Sequence, residues 1–190
     1  MKNPNQRVGV FIDVQNMYYS ARALYESKVN FAEVLKTAVA DRRLVRAVAY
    51  TIKADMPEEQ SFFDALEKIG LEVKGKDLQT FSGGAQKGDW DVGIAVDIVK
   101  AAPKLDAVVL ISGDGDFVPL MEYVKSLGCR AEVVSFGRST SGKLIESVDD
   151  YQDLDRQAKY LIRGRARRRG GGGNGGDNAS APPQTPEESA

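Results

Sequence analysis

Strand-like and helix-like segments take turns along residues 7–154, and this alternation restricts the fold more than any other feature of the chain. Residues 7–13, "RVGVFID", form a short apolar run, as do 45–52, "VRAVAYTI", 107–111, "AVVLI", and 130–136, "RAEVVSF". All are rich in the β-branched residues that suit strands. Between them lie segments with helical spacing. Residues 16–26 are the first, and "NFAEVLKTAVADRR" is the second, with Asn30 as its cap. Residues 57–69 place Pro57 in a first turn, an apolar stripe (Phe62, Phe63, Leu66, Ile69) on one face and Gly70 as a stop. Helices are further expected over 90–101, 117–127 and 141–148, a strand or loose hairpin over 71–81, and a last short strand near 151–154. Such a chain builds an α/β, Rossmann-like parallel sheet with helices on both faces. Ligands of these sheets bind beyond the carboxyl ends of the strands, where strand order reverses.

Acids gather at that edge. The stretch "LISGDGDFVPLM" hands a buried strand over to a helix through an elbow carrying Asp114 and Asp116. The first strand ends in Asp13, and "QKGDWD" delivers Asp89 and Asp91 to the start of another helix. Any one of these could cap a helix: Asp114 or Asp116 the helix at Phe117, and Asp89, better placed than Asp91, the helix at Trp90. Asp13 is different, since no helix start requires an acid there. Asn16, three residues on, is the natural cap. Asp97 lies among apolar neighbours, either paired with a lysine or joining the acids. Carboxylates converging from three segments repel one another unless protons or a cation intervene. Hard divalent ions with oxygen ligands, Mg²⁺ among them, relieve the repulsion, and a pair of such ions can assist hydrolysis of a phosphodiester.

Composition removes the competitors. The 190 residues contain no histidine, which excludes Ser-His-Asp and Cys-His triads, HExxH zinc sites and histidine acid–base ribonuclease chemistry. One cysteine, Cys129, can form neither an internal disulfide nor a zinc cage and reads as a buried thiol in a cytoplasmic protein. No apolar run is long enough to span a membrane, and the first residues lack a secretory pattern. From Arg156 onward seven basic residues face three acids, an excess of +4 in a chain of net charge −1, so the body before it stands at −5. The expected organisation is an extension over 1–6, a domain over 7–155, a partly helical basic arm over 156–169 and a disordered Gly/Pro-rich tail over 170–190. Arg165, Arg167, Arg168 and Arg169, set among glycines, suit a flexible phosphate-binding arm.

"FIDVQN", "KGDWDVGIAVDI" and "DAVVLISGDGDFVPLMEYVKSLGCRAEVVSF", in this order, resemble the NYN domain in its LabA-like branch, within the PIN-like nuclease superfamily. The resemblance covers residues 7–154. It implies a PIN-like fold and a metal-dependent ribonuclease, with Asp13, Asp91, Asp114 and Asp116 as metal-binding acids and Asn16 beside them. Asp97 matches an acid often seen in this branch, without an assignable role. Trp90 stands where a small apolar residue is commoner; it is read as packing on the sheet, with base stacking as the alternative.

The combined expectation is an endoribonuclease that uses Mg²⁺ or Mn²⁺ to cut single-stranded RNA. Lys87, Ser112, Arg138 and Lys143, with the arginine arm, would meet the substrate. Among Tyr18, Tyr19 and Tyr25, one or more would line the groove and at least one would pack in the core. Pairing of two copies into a homodimer is a further expectation. The rivals are a non-catalytic regulator that binds RNA or protein on the same scaffold, and a small-molecule phosphatase.

Overall fold

The computed structural model describes residues 2–53, 57–77, 79–80, 86–87 and 90–162. In chain order the elements are β1 (Arg7–Asp13), α1 (Val14–Tyr25), β2 (Lys28–Val29), α2 (Phe31–Val39), β3 (Arg43–Lys53), α3 (Pro57–Lys68), β4 (Glu72–Asp77), β5 (Gln79–Thr80), β6 (Gln86–Lys87), α4 (Asp91–Ala101), β7 (Ala107–Ile111), α5 (Val118–Ser126), β8 (Arg130–Ser135), α6 (Gly142–Ser147), β9 (Asp150–Asp153) and β10 (Leu161–Ile162). Six of the strands form one sheet in the order β4-β3-β1-β7-β8-β9, every neighbouring pair parallel. The chain builds outward from β1 to β3 and β4, then crosses to the other side of β1 for β7, β8 and β9. The order therefore reverses between β1 and β7. Their carboxyl ends, Asp13 and the elbow after Ile111, flank the crevice where an α/β sheet binds its ligand.

Two apolar layers follow from the period-two alternation of the strands. Val8, Val10 and Ile12 of β1, with Ala107, Val109 and Ile111 of β7, turn to one face and pack with Met17 and Ala21 of α1, Val34 and Ala38 of α2 and Leu66 of α3. Phe11, Val108 and Leu110 turn to the other, against Ile94 and Ile98 of α4, Met121 and Val124 of α5 and Leu144 of α6. Cys129 belongs to this second layer, where burial pushes its thiol up to about 11. Such a thiol is a packing group rather than a nucleophile.

Several local expectations change. The segment over 71–81, expected as a strand or loose hairpin, holds β4 and β5, and β5 pairs antiparallel with β6 beyond it. Helix α1 starts at Val14, two residues early, because Asp13 is its cap: the Asp13 carboxylate accepts from the Asn16 N–H at 3.0 Å. The sequence pattern gave that duty to Asn16, which instead lies in the first turn. An unexpected pairing of β10 with β2 carries the packed chain beyond residue 155, with Tyr160 buried and its hydroxyl 3.1 Å from that of Thr37. No helix among the described residues is long and apolar enough to cross a membrane.

Candidate active site

The carboxyl end of β1 delivers Asp13 to the face shared by Phe11, and the end of β7 delivers Ser112 to the same face. The elbow is then wired to β1. Ser112 is fully buried; its hydroxyl donates to Asp13 Oδ2 at 3.3 Å and accepts from the Asp114 N–H at 3.3 Å. Asn16 Oδ1 accepts from the Gly113 N–H at 3.0 Å, so the first turn of α1 clamps the elbow from the other side. Asp114 caps the turn that opens α5 by accepting from the Asp116 N–H at 2.9 Å. Gly113 is required by close approach: a Cβ there would lie 2.8 Å from the Ser139 carbonyl oxygen. The loop after β8 thus rests directly on the elbow, and the Ser141 N–H donates to the Gly113 carbonyl at 2.9 Å.

Asp91 arrives from the first residue of α4, where the helix dipole favours an acid. Trp90 precedes it and fixes the entry. Its indole N–H donates to the Thr51 carbonyl at 2.7 Å and its ring lies 5.3 Å from that of Tyr50. A Cβ at Gly93 would fall 2.5 Å from the Trp90 ring, so the glycine lets the edge of the indole approach α4 closely. The result is that Asp91, Asp114 and Asp116 each bring one carboxylate oxygen within 4.8 Å of the others. Asp13, Asp91 and Asp114 line an open cleft of about 280 Å³, together with Gln15, Asn16, Tyr19, Ser20 and Trp90.

Asp13 sits behind this group and is almost wholly buried. Burial is the main influence on its carboxyl and pushes it up to about 6; the Asn16 amide opposes the rise, the charge of Asp91 adds to it, the Ser112 hydroxyl opposes it and Asp114 adds a little more. The unfolded chain releases this proton near 3.8, the folded chain near 6. Between those values the native state holds more protons, so stability falls as pH rises through the window and the whole penalty is present above it. In EDTA the Asp13→Asn variant is expected to lose this slope, gaining up to roughly 3 kcal/mol near neutral pH relative to the parent. Urea unfolding of both proteins from pH 4 to 7 checks it, and parallel profiles would refute it.

The remaining sequence candidates divide. Ser112, expected to touch substrate, cannot do so while buried; it positions Asp13 and Asp114. Asp97 pairs with a lysine rather than with the acids: Lys74 Nζ lies 2.6 Å away, and the Tyr50 hydroxyl donates to the same oxygen at 2.7 Å. Burial works against ionisation of Asp97, but these two hydrogen bonds prevail and hold its carboxyl below the usual range, while burial and Asp97 push Tyr50 up. Arg138 lies over the Tyr25 ring at 4.7 Å and 3.7 Å from Asp155, which ties the loop after β8 to the end of α1. Tyr25 is the tyrosine of the packed kind, against Phe136. Lys143 is exposed on α6. Lys87 falls on β6, with its side chain outside the described part, and Asp89, Arg165, Arg167, Arg168, Arg169 and the expected tail over 170–190 lie outside the described residues. Gln15 and Ser20 were not singled out from sequence. The available signal was spacing: Gln15 with Tyr19 and Asn16 with Ser20 stand four apart on one flank of α1.

Over residues 7–155 the chain matches the profile of the NYN domain. It is 30% identical over 164 residues to the low amplitude and bright protein LabA of Synechococcus elongatus, a match covering 78% of this chain and 84% of that protein. The crystal structure of a protein of unknown function from Vibrio parahaemolyticus is 32% identical and superposes with a TM-score of 0.78, covering 85% of this chain and 99% of the other.

Proposed function

The chain belongs to the NYN domain family, of the PIN-like nuclease superfamily, and from that premise we propose that it is a metal-dependent endoribonuclease acting on single-stranded RNA. The observation that carries this reading is the convergence of three carboxylates within 4.8 Å at the point where strand order reverses. The donor set fits a hard divalent cation. It consists of carboxylate oxygens alone, three of them close enough to share one ion, with Asp13 held partly protonated behind them by burial and like charge. Asp91, Asp114 and Asp116 would hold Mg²⁺ or Mn²⁺, with Asp13 beside them. An ion bound there would polarise the scissile phosphodiester and the attacking water.

The protein's own groups supply the rest. The Ser112 hydroxyl and the Asn16 amide fix Asp13 and the elbow, so the acids are held before a substrate arrives. Asp13, oriented by the Asn16 N–H and the Ser112 hydroxyl, would complete the set of acids beside the ion. Lys143, Lys87 and the arginines of 165–169 would pair with phosphates and raise affinity without selecting sequence.

Labelled single-stranded RNA incubated with the purified protein tests the reading. Cutting is expected with Mn²⁺ or Mg²⁺ and is expected to stop in EDTA. Cutting that persists in EDTA would remove the acids' proposed role. Binding without cutting under every condition would assign the scaffold to a non-catalytic RNA-binding regulator.

A further inference from the structure

One aromatic ring of the cleft has its face open. Trp90 sets the edge of its ring against Gly93 and packs on Tyr50 with its indole N–H committed to Thr51, and Tyr25 packs on Phe136 and under Arg138. Tyr18 is not part of the cleft lining and accepts a hydrogen bond from Arg22 at 3.0 Å. Tyr19 lines the cleft with Asp13, Asp91 and Asp114 and is 59% exposed. Its ring is held edge to face by Tyr18, with centroids 5.5 Å apart and planes at 73°, so it is exposed yet supported from the side. It rises from the turn of α1 that carries Gln15, Asn16 and Ser20, while Val14, Met17 and Ala21 anchor the opposite face in the core.

An exposed, laterally braced ring beside a phosphodiester-sized acidic cleft is a platform for one flat partner. We infer that Tyr19 stacks on an unpaired nucleobase adjacent to the phosphate that a cation on the acids would hold, and so restricts the site to bases that have left a helix. The inference rests on the nuclease reading for the position of the phosphate. Its physical basis is independent of the acids: a base in a duplex has both faces covered by its neighbours, so only a single strand or a loop can offer one to Tyr19. The site would then discriminate by strand state rather than by sequence, since every base has a π-face.

Fluorescence anisotropy with the full chain separates this from phosphate attraction. Two labelled ten-residue probes are titrated with Ca²⁺ present: an oligoadenylate and the same ribose-phosphate chain without bases. Charge is equal in the two, so the ratio of their affinities isolates the bases. The parent protein is expected to prefer oligoadenylate by roughly 10- to 100-fold, the preference to vanish in Tyr19→Ala and to survive in Tyr19→Phe. Because Tyr19 is exposed, Tyr19→Ala should retain the parent's circular dichroism. A base preference that survives Tyr19→Ala, or equal binding of both probes by the parent, overturns the role of Tyr19 and leaves the nuclease reading to the metal-dependent cleavage assay. Binding of neither probe overturns both.

Discussion

Replacing Asp114 with Asn is expected to abolish RNA cleavage while leaving the protein folded. The two halves of that expectation come from two properties of the carboxylate, an acceptor oxygen and a charge. Asp114 Oδ1 accepts from the Asp116 N–H at 2.9 Å and caps the turn into α5, a duty an asparagine oxygen performs equally well. What the substitution removes is one negative charge from three carboxylates whose oxygens lie within 4.8 Å. Without metal, losing that charge relieves repulsion, so stability in EDTA should be unchanged or slightly higher. With metal, the variant loses an anionic ligand. Outer-shell partners of metal ligands typically cost about 10–100-fold on removal, so a direct ligand should cost at least roughly 100-fold in cleavage rate. Paired measurements decide the matter: cleavage of labelled RNA, and Mn²⁺ binding by titration calorimetry. Loss of both in a folded variant supports the proposal. Cleavage at the parent rate would exclude Asp114 from the site, whatever the cluster looks like. Unchanged Mn²⁺ binding with cleavage lost would make Asp114 a positioning residue rather than a ligand.

The layered α/β plan could be read from sequence because it depends on local periodicity. Runs such as "RVGVFID" and "AVVLI" are buried on both faces and thus nearly continuous in apolar residues, as parallel strands require. The same logic located the acids, since strand ends and helix starts fall on one edge of such a sheet. Their individual duties were harder to read. Asp13 reads from sequence as an acid that no helix start requires, yet it caps α1, because the helix begins two residues earlier than its apolar spacing indicates. Ser112 reads from sequence as a substrate contact, whereas its hydroxyl joins Asp13 to the elbow across 99 positions. The Asp97 pairing with Lys74 spans 23 positions and two elements, and only the register of β3 with β4 brings Lys74 and Tyr50 side by side. Periodicity reports which face a residue takes. Which partner waits on that face is set by strand order, and strand order is written in no single segment.

The largest stability effect is expected from a pair invisible to periodicity. Arg42 and Glu132, 90 positions apart, are both buried and joined by two parallel hydrogen bonds of 2.8 and 2.9 Å. Arg42 also donates to the Ala38 carbonyl at 2.8 Å and the Val39 carbonyl at 3.0 Å, satisfying the open end of α2. The helix over "NFAEVLKTAVADRR" and the strand "RAEVVSF" can each be read from sequence, but the pairing of Arg42 with Glu132 between them cannot. The two partners should not respond alike to mutation. Removal of Arg42 leaves Glu132 with two other cations, Arg130 at 2.8 Å and Lys2 at 3.7 Å. Removal of the Glu132 charge leaves a guanidinium that cannot deprotonate, with only carbonyl partners among the described residues. Glu132→Gln should therefore cost about 3–5 kcal/mol, lowering the melting temperature by roughly 6–20 °C. Arg42→Ala should cost less. Joint replacement by Met at 42 and Leu at 132 should restore much of the stability, since no charge is left stranded; the Ala38 carbonyl would lose its guanidinium donor, while the Val39 carbonyl would keep the backbone N–H of residue 42 at 3.1 Å. Thermal unfolding of the four proteins checks the order. An Arg42→Ala loss equal to or larger than that of Glu132→Gln at neutral pH would mean that the helix-end carbonyls, not the ion pair, dominate at this site.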